Sequence, residues 1–260
     1  MPRSAEIHIV AGPQELAQQA AERVIAVGTA AIAARGRFLI ALSGGSTPRS
    51  LYTRLASPDC ADRLDWSRVQ VLFGDERAVP PTHADSNFAM ADQTLFTPLR
   101  LAPAQIHRMR GEDEPEAAAA QYENTLRRFT AGGGGAWPIL DLVLLGMGED
   151  GHTASLFPNG PELHERTRWV TPSYSPQGTR TRLTLTLGVI NRASVVLFLV
   201  AGANKATVVR HLLEPQTDDA VRYPAALVQP VAGQLVWYLD QAAAAKLTRS
   251  QQTCHPERTK

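Results

Sequence analysis

Four short apolar runs in this chain each end abruptly at a polar, glycine-containing segment, and that repeated junction constrains the fold more than any other feature. RFLIAL (37–42) runs into Ser43-Gly44-Gly45-Ser46-Thr47, and VQVLF (69–73) into Gly74-Asp75-Glu76-Arg77. LDLVLL (140–145) runs into Gly146-Met147-Gly148-Glu149-Asp150-Gly151-His152, and SVVLFLV (194–200) stops just before Gly202-Ala203-Asn204-Lys205. Unbroken apolar runs of this length suit strands covered on both faces, as in a parallel sheet. Between them lie stretches with helical spacing, such as Leu16, Ala20, Val24, Val27 and Ala31 behind Pro13. The alternation predicts an α/β fold: a single domain over 1–249 with a doubly wound, mainly parallel, Rossmann-like sheet and helices on both faces. Residues 250–260 are expected to be a flexible tail.

Other elements follow from the same cues. Residues 7–10 predict a first strand, and Pro48 opens a helix. A polar loop from 74 to Asn87 precedes a helix through about Phe96. Residues 113–130 predict a helix with an acidic first turn, Pro115 near its start and Ala119, Tyr122, Leu126 and Phe129 on one side. Gly132 to Gly135 end it as a flexible connector, since they precede a strand where a phosphate loop would follow one. LTLTL (183–187) alternates, as a half-exposed strand should, and LVWYL (235–239) is a last strand before an Ala-rich helix after Asp240.

Composition narrows the partners. At 260 residues, 44% apolar and 20% charged, the chain can bury a full core and is neither disordered nor membrane-spanning in character. A net charge of +1 gives no reason to expect nucleic acid or an anionic membrane surface, so a bound anion must be met by local donors. The start of the chain lacks a signal-peptide run, and no stretch approaches the ~18 apolar residues of a membrane span. The two cysteines, Cys60 and Cys254, have no metal-ligand spacing, and so few in such a length fit a reduced cytoplasmic protein. No obligatory protein partner is implied.

Ligands of open parallel sheets bind outside the carboxyl ends of the strands. All four polar segments sit there, so one crevice could gather them. Ser43, Gly44, Gly45, Ser46 and Thr47 suit a phosphate: glycines admit close approach, and a helix beginning at Pro48 with Thr47 as N-cap offers free N–H groups. A routine strand-to-helix turn is the alternative. His152 titrates near neutrality and has Asp150 beside it to orient and charge-stabilise the ring, which suits a general base; the alternative is a histidine that only caps its loop. It has no His or Cys neighbours at ligand spacing, so no metal is expected. Arg77 can grip a phosphate bidentately, while Asp75 and Glu76 could equally form an internal ion pair bracing the loop. Lys205 is one of three lysines among 26 basic residues and stands at a helix start, where an anion contact suits it.

LSGGSTPRSLY, FGDERAVPPTHADSN, LLGMGEDGHTASLFP and RLTLTLGVIN resemble, in order and spacing, the signature segments of the 6-phosphogluconolactonase family, over roughly 7–240. The resemblance implies hydrolysis of 6-phospho-D-glucono-1,5-lactone to 6-phosphogluconate in the oxidative pentose phosphate pathway, without metal or organic cofactor. By position it implies His152 as the residue that activates water and Asp150 as its acidic neighbour. It further implies Arg77 and Lys205 as phosphate contacts, Ser43 to Thr47 as the sugar-phosphate loop, and Arg182 as a further basic position. No G-x-S-x-G elbow accompanies Ser43, Ser46 or Ser155, so a serine nucleophile is not expected; backbone N–H groups around Gly148 to His152 are one candidate for stabilising the oxyanion.

Two other functions share the scaffold. Glucosamine-6-phosphate deaminases and related isomerases are similar at the glycine–serine loop, at Asp75-Glu76 and at Asp150-Gly151-His152, and Asp75 could shuttle their proton. Their pattern has a glutamate five residues past the histidine, where this chain has Phe157, and lacks an arginine at the position of Arg77. A non-catalytic sugar-phosphate sensor would normally carry a further domain, and no segment here is left over to form one.

Overall fold

A computed structural model describes residues 5–130, 137–214 and 223–248. The expected connector Gly132–Gly135 and the expected tail 250–260 lie outside them. The elements run β1 (Glu6–Val10), α1 (Pro13–Arg35), β2 (Phe38–Leu42), α2 (Ser46–Leu55), α3 (Pro58–Ala61), β3 (Val69–Phe73), β4 (Asp75–Arg77), α4 (Asn87–Ala91), α5 (Thr97–Leu99) and α6 (Pro115–Arg127). There follow β5 (Leu142–Leu145), β6 (Val170–Tyr174), β7 (Thr181–Leu185), α7 (Leu187–Ile190), β8 (Val195–Val200), α8 (Ala206–Leu213) and β9 (Gln234–Asp240).

Six strands form the expected parallel sheet, in the order β1-β9-β8-β5-β2-β3. From β1 the chain crosses to β2 and β3 at one edge, then returns through β5, β8 and β9 towards the other. Right-handed crossovers therefore place α1 and α2 on one face, where they pack together, and the returning connections on the other. The direction reverses between neighbours β2 and β5. Loops leaving their ends diverge to opposite faces and open a crevice there. β2 and β5 are buried along their whole length, which fits their uninterrupted apolar sequences.

A second sheet, antiparallel and ordered β4-β7-β6, corrects the expectation of a simple loop after β3. Gly74 is the joint: its N–H donates to the Leu42 carbonyl at 2.8 Å, and its carbonyl accepts from Leu185 at 2.8 Å. The chain thus leaves the parallel sheet and at once starts the other. β7 begins at Thr181, two residues earlier than the alternation suggests. Its Leu183, Thr184 and Leu185 are all buried, because β7 is the central strand of the small sheet and lies beneath α6. The Ala-rich stretch after Asp240 is a run of turns and not a helix; the Asp240 carboxylate takes the Ala243 N–H at 2.7 Å and tightens the first of them. Among the described residues no helix is long and apolar enough to cross a membrane.

Candidate active site

The loop after β5 wraps on itself. The Gly148 N–H donates to the His152 carbonyl at 2.9 Å, and the Gly151 N–H to the Gly148 carbonyl at 3.1 Å. Gly151 sits at φ +74°, in the left-handed region. A Cβ on Gly148 would lie 2.1 Å from Nδ1 of His152, so the imidazole occupies space that only glycine leaves free. The result is a defined pair: Nδ1 of His152 is 2.6 Å from Oδ1 of Asp150, which also accepts the His152 N–H at 3.1 Å. With the ring proton on Nδ1 in that bond, Nε2 keeps its lone pair. Burial pushes the Asp150 carboxyl upwards, but the hydrogen bonds and charge of His152 outweigh it and hold Asp150 below the usual aspartate value. Phe157 packs against the imidazole, with ring centroids 4.8 Å apart. Within the stretch expected to offer oxyanion donors, the N–H groups of Gly148, Gly151 and His152 each donate inside the loop.

Arg77 and Arg182 are partners in the β4–β7 register. The Arg182 Nε donates to the Thr179 carbonyl at 2.7 Å, and Arg77 donates to the Asp85 carbonyl. The Arg77 Nε is buried without a partner among the described residues. Burial, and then the neighbouring charge of Arg77, pull the Arg182 guanidinium down from its ordinary value. Asp75 and Glu76 form no ion pair among the described residues, which corrects that expectation. Glu76 does brace the loop, but through neutral donors: the N–H groups of Arg77, Asn87 and Phe88 at 2.7–2.8 Å and the Ser86 hydroxyl at 3.1 Å. Its carboxyl is raised by burial despite these bonds. Asp75 faces the crevice and accepts from Ser155 Oγ at 2.7 Å and from Asn87 Nδ2 at 3.2 Å. Neither Ser155 nor Asn87 is expected from the sequence to support Asp75: both lie in the signature segments, but nothing there shows that they meet its carboxylate.

The helix after Ser43 starts earlier than expected. Gly45, at φ 112°, is the N-cap of α2, Ser46 the first helical residue, and Thr47 lies inside the first turn. No side chain caps this end, so the first N–H groups have no acceptor within the helix. The hydroxyl of Ser43 is buried and has no hydrogen-bond partner among the described residues. A Cβ at Gly44 would collide with Oδ1 of Asn87 at 1.8 Å, which explains one of the two glycines by close approach. Lys205 ends a 3-10 turn, Ala203–Lys205, ahead of α8, and Asn204 in that turn donates to Glu149 at 2.6 Å.

One crevice of about 720 Å³ is lined by Ser43 to Thr47, Asp75, Arg77, His152, Arg182 and Lys205. The four strand-end segments therefore meet, as does Arg182; Asp150 stands behind His152, outside the lining. Arg77, Arg182 and Lys205 have no carboxylate partner within ion-pair distance among the described residues, whereas surface arginines such as Arg63 and Arg108 do.

A cationic crevice at the switch point of a doubly wound sheet, with an Asp-oriented histidine in its wall, defines the class of protein. The chain belongs to the glucosamine-6-phosphate isomerase/6-phosphogluconolactonase family, whose model matches residues 11–237. Similar proteins within it include several 6-phosphogluconolactonases. The Nostoc enzyme is 44% identical over 84% of this chain and 88% of its own, and the human enzyme 40% identical over 95% of both. The solved 6-phosphogluconolactonase from Trypanosoma cruzi superposes with a TM-score of 0.83 at 29% identity, covering 95% of this chain and 98% of that one.

Proposed function

We propose that this protein hydrolyses 6-phospho-D-glucono-1,5-lactone to 6-phospho-D-gluconate, the lactonase step of the oxidative pentose phosphate pathway, with His152 as general base. The observation that carries this is the Asp150–His152 pair, 2.6 Å apart, with its imidazole in the wall of a crevice lined by three basic side chains that have no carboxylate partner among the described residues. Arg77, Arg182, Lys205 and the amino end of α2 suit the phosphoryl group. Anchoring that end presents the lactone carbonyl to His152.

Nε2 of His152 takes a proton from water as the water oxygen attacks C1. The tetrahedral intermediate then collapses: the bond from C1 to the ring oxygen breaks, and that oxygen receives the proton. The products are the open-chain hydroxyl and a carboxylic acid that ionises in water. Asp150 keeps the ring in the productive tautomer and favours its charged form.

The isomerase alternative needs a carboxylate free to move a proton between adjacent carbons. Asp75 instead accepts two hydrogen bonds from Ser155 and Asn87, and Phe157 fills the position of the deaminase glutamate with an apolar ring against His152. The test is the rate of acid release from freshly generated lactone, corrected for spontaneous opening, beside an ammonia assay with glucosamine 6-phosphate. Enzyme-dependent acid release without ammonia is expected; ammonia without acid release would reverse the assignment.

A further inference from the structure

Lys205 reaches the crevice from a turn that is held from behind. The turn starts at Gly202, whose φ of 104° lies in the left-handed region, and closes with the Lys205 N–H donating to the Gly202 carbonyl at 3.1 Å. The Gly202 N–H donates to the carboxylate of Asp240, which does not line the crevice, at 3.0 Å to Oδ1 and 3.1 Å to Oδ2. Asp240 is 4% exposed, ends the neighbouring strand β9, and also accepts the Ala243 N–H at 2.7 Å. It forms no ion pair among the described residues. A buried carboxylate is costly unless hydrogen-bonded, and bonds to an ionised acceptor are stronger than neutral ones. Here that strength falls on the first residue of the Lys205 turn. On the other side, the Asn204 amide donates to Glu149 at 2.6 Å, in the loop that carries Asp150 and His152. The turn is thus clamped between the end of β9 and the His152 loop.

We propose that Asp240 is a positioning residue for substrate binding: through the Gly202 N–H it fixes the turn that presents Lys205 to the phosphoryl group. It touches neither substrate nor His152. The proposal rests on the lactonase assignment and on Lys205 as a phosphate contact. It fills a gap in the site, since Lys205 lies on a short, partly exposed turn with no carboxylate partner among the described residues to aim it.

The test is a double-mutant cycle between Asp240→Asn and Lys205→Ala, read as kcat and KM for 6-phosphogluconolactone, with circular dichroism and thermal unfolding of each variant. Asparagine keeps the shape but loses the charge and one acceptor. Asp240→Asn is expected to raise KM about tenfold with kcat changed by less than about twofold. In a Lys205→Ala background the same substitution is expected to add almost nothing. A merely structural role would lower kcat as well and would act equally in both backgrounds; either result overturns the proposal. Asp240→Ser, smaller and retaining one acceptor, is the second variant, and failure of both to fold would make Asp240 a scaffold residue and overturn it too. An inactive wild type would refute the lactonase assignment itself. An active wild type with an unchanged KM in Lys205→Ala would refute only the role of Lys205, and this proposal with it.

Discussion

Arg77 and Arg182 stand directly opposite each other across the β4–β7 pair, two arginines in facing register with no carboxylate in ion-pair contact among the described residues. Like charges so placed repel, and a bound dianion reverses the sign of the interaction. Removing either arginine should therefore weaken substrate binding without destabilising the free protein. Arg77→Ala and Arg182→Ala are each expected to raise KM by about 10- to 150-fold, the equivalent of one charged hydrogen bond of ~1.5–3 kcal/mol. Inorganic phosphate should raise the thermal midpoint of the wild type by mass action and do so less in either variant. Equal phosphate stabilisation in all three proteins would contradict the assignment.

Glu76 should govern stability more than turnover. Replacing it by Ala leaves three backbone N–H groups and the Ser86 hydroxyl without their acceptor, at an expected cost of ~3 kcal/mol. Because burial raises its folded-state value above the ordinary 4.5, the folded chain holds the proton to higher pH than the unfolded chain does. Its contribution to stability is then fully present below 4.5 and lost as pH rises through the raised folded value. Urea midpoints should show this slope in the wild type and not in Glu76→Gln; the same slope in both would assign it to other groups.

Asp150 behaves in the opposite sense. Its lowered value keeps it ionised at pH values below the ordinary 3.8, and the stability it lends is lost only as pH falls through the lowered folded value. The acid limb of kcat/KM should thus report one proton uptake, at the base, with a slope of about one. A slope of two would mean that Asp150 titrates together with its partner.

Gly148→Ala tests the space beneath the imidazole. The added Cβ, 2.1 Å from Nδ1, must displace the ring or the loop, while the rest of the fold is untouched. A fall in kcat of about 10²-fold with little change in thermal midpoint is expected, the scale of a misplaced general base. Retention of full activity would show that the ring does not need its present seat.

The parallel sheet and the convergence of its loops were legible because apolar strands ending in polar glycine segments imply both the layer order and the rim on which ligands collect. The small antiparallel sheet was not. Asp-Glu-Arg has no strand propensity, and its pairing with β7 is a contact made more than a hundred residues away. A hydroxyl such as that of Thr47 is the usual cap of a helix; Gly45 takes the place here because α2 begins at Ser46, directly after a glycine at φ 112°. The sequence assigns no supporting role to Asn87, Ser155 or Asp240. Their importance lies in which backbone groups they meet, and only the folded chain brings those groups together.

The most direct measurement is the hydrolysis of freshly generated 6-phosphogluconolactone by wild-type and His152→Ala protein, with the binding of 6-phosphogluconate measured alongside. General-base help of this kind contributes ~10²–10⁴-fold, so the variant should fall towards the spontaneous rate while its product affinity stays within about threefold of wild type. Equal rates for the two proteins would remove His152 from the chemistry and contradict the account.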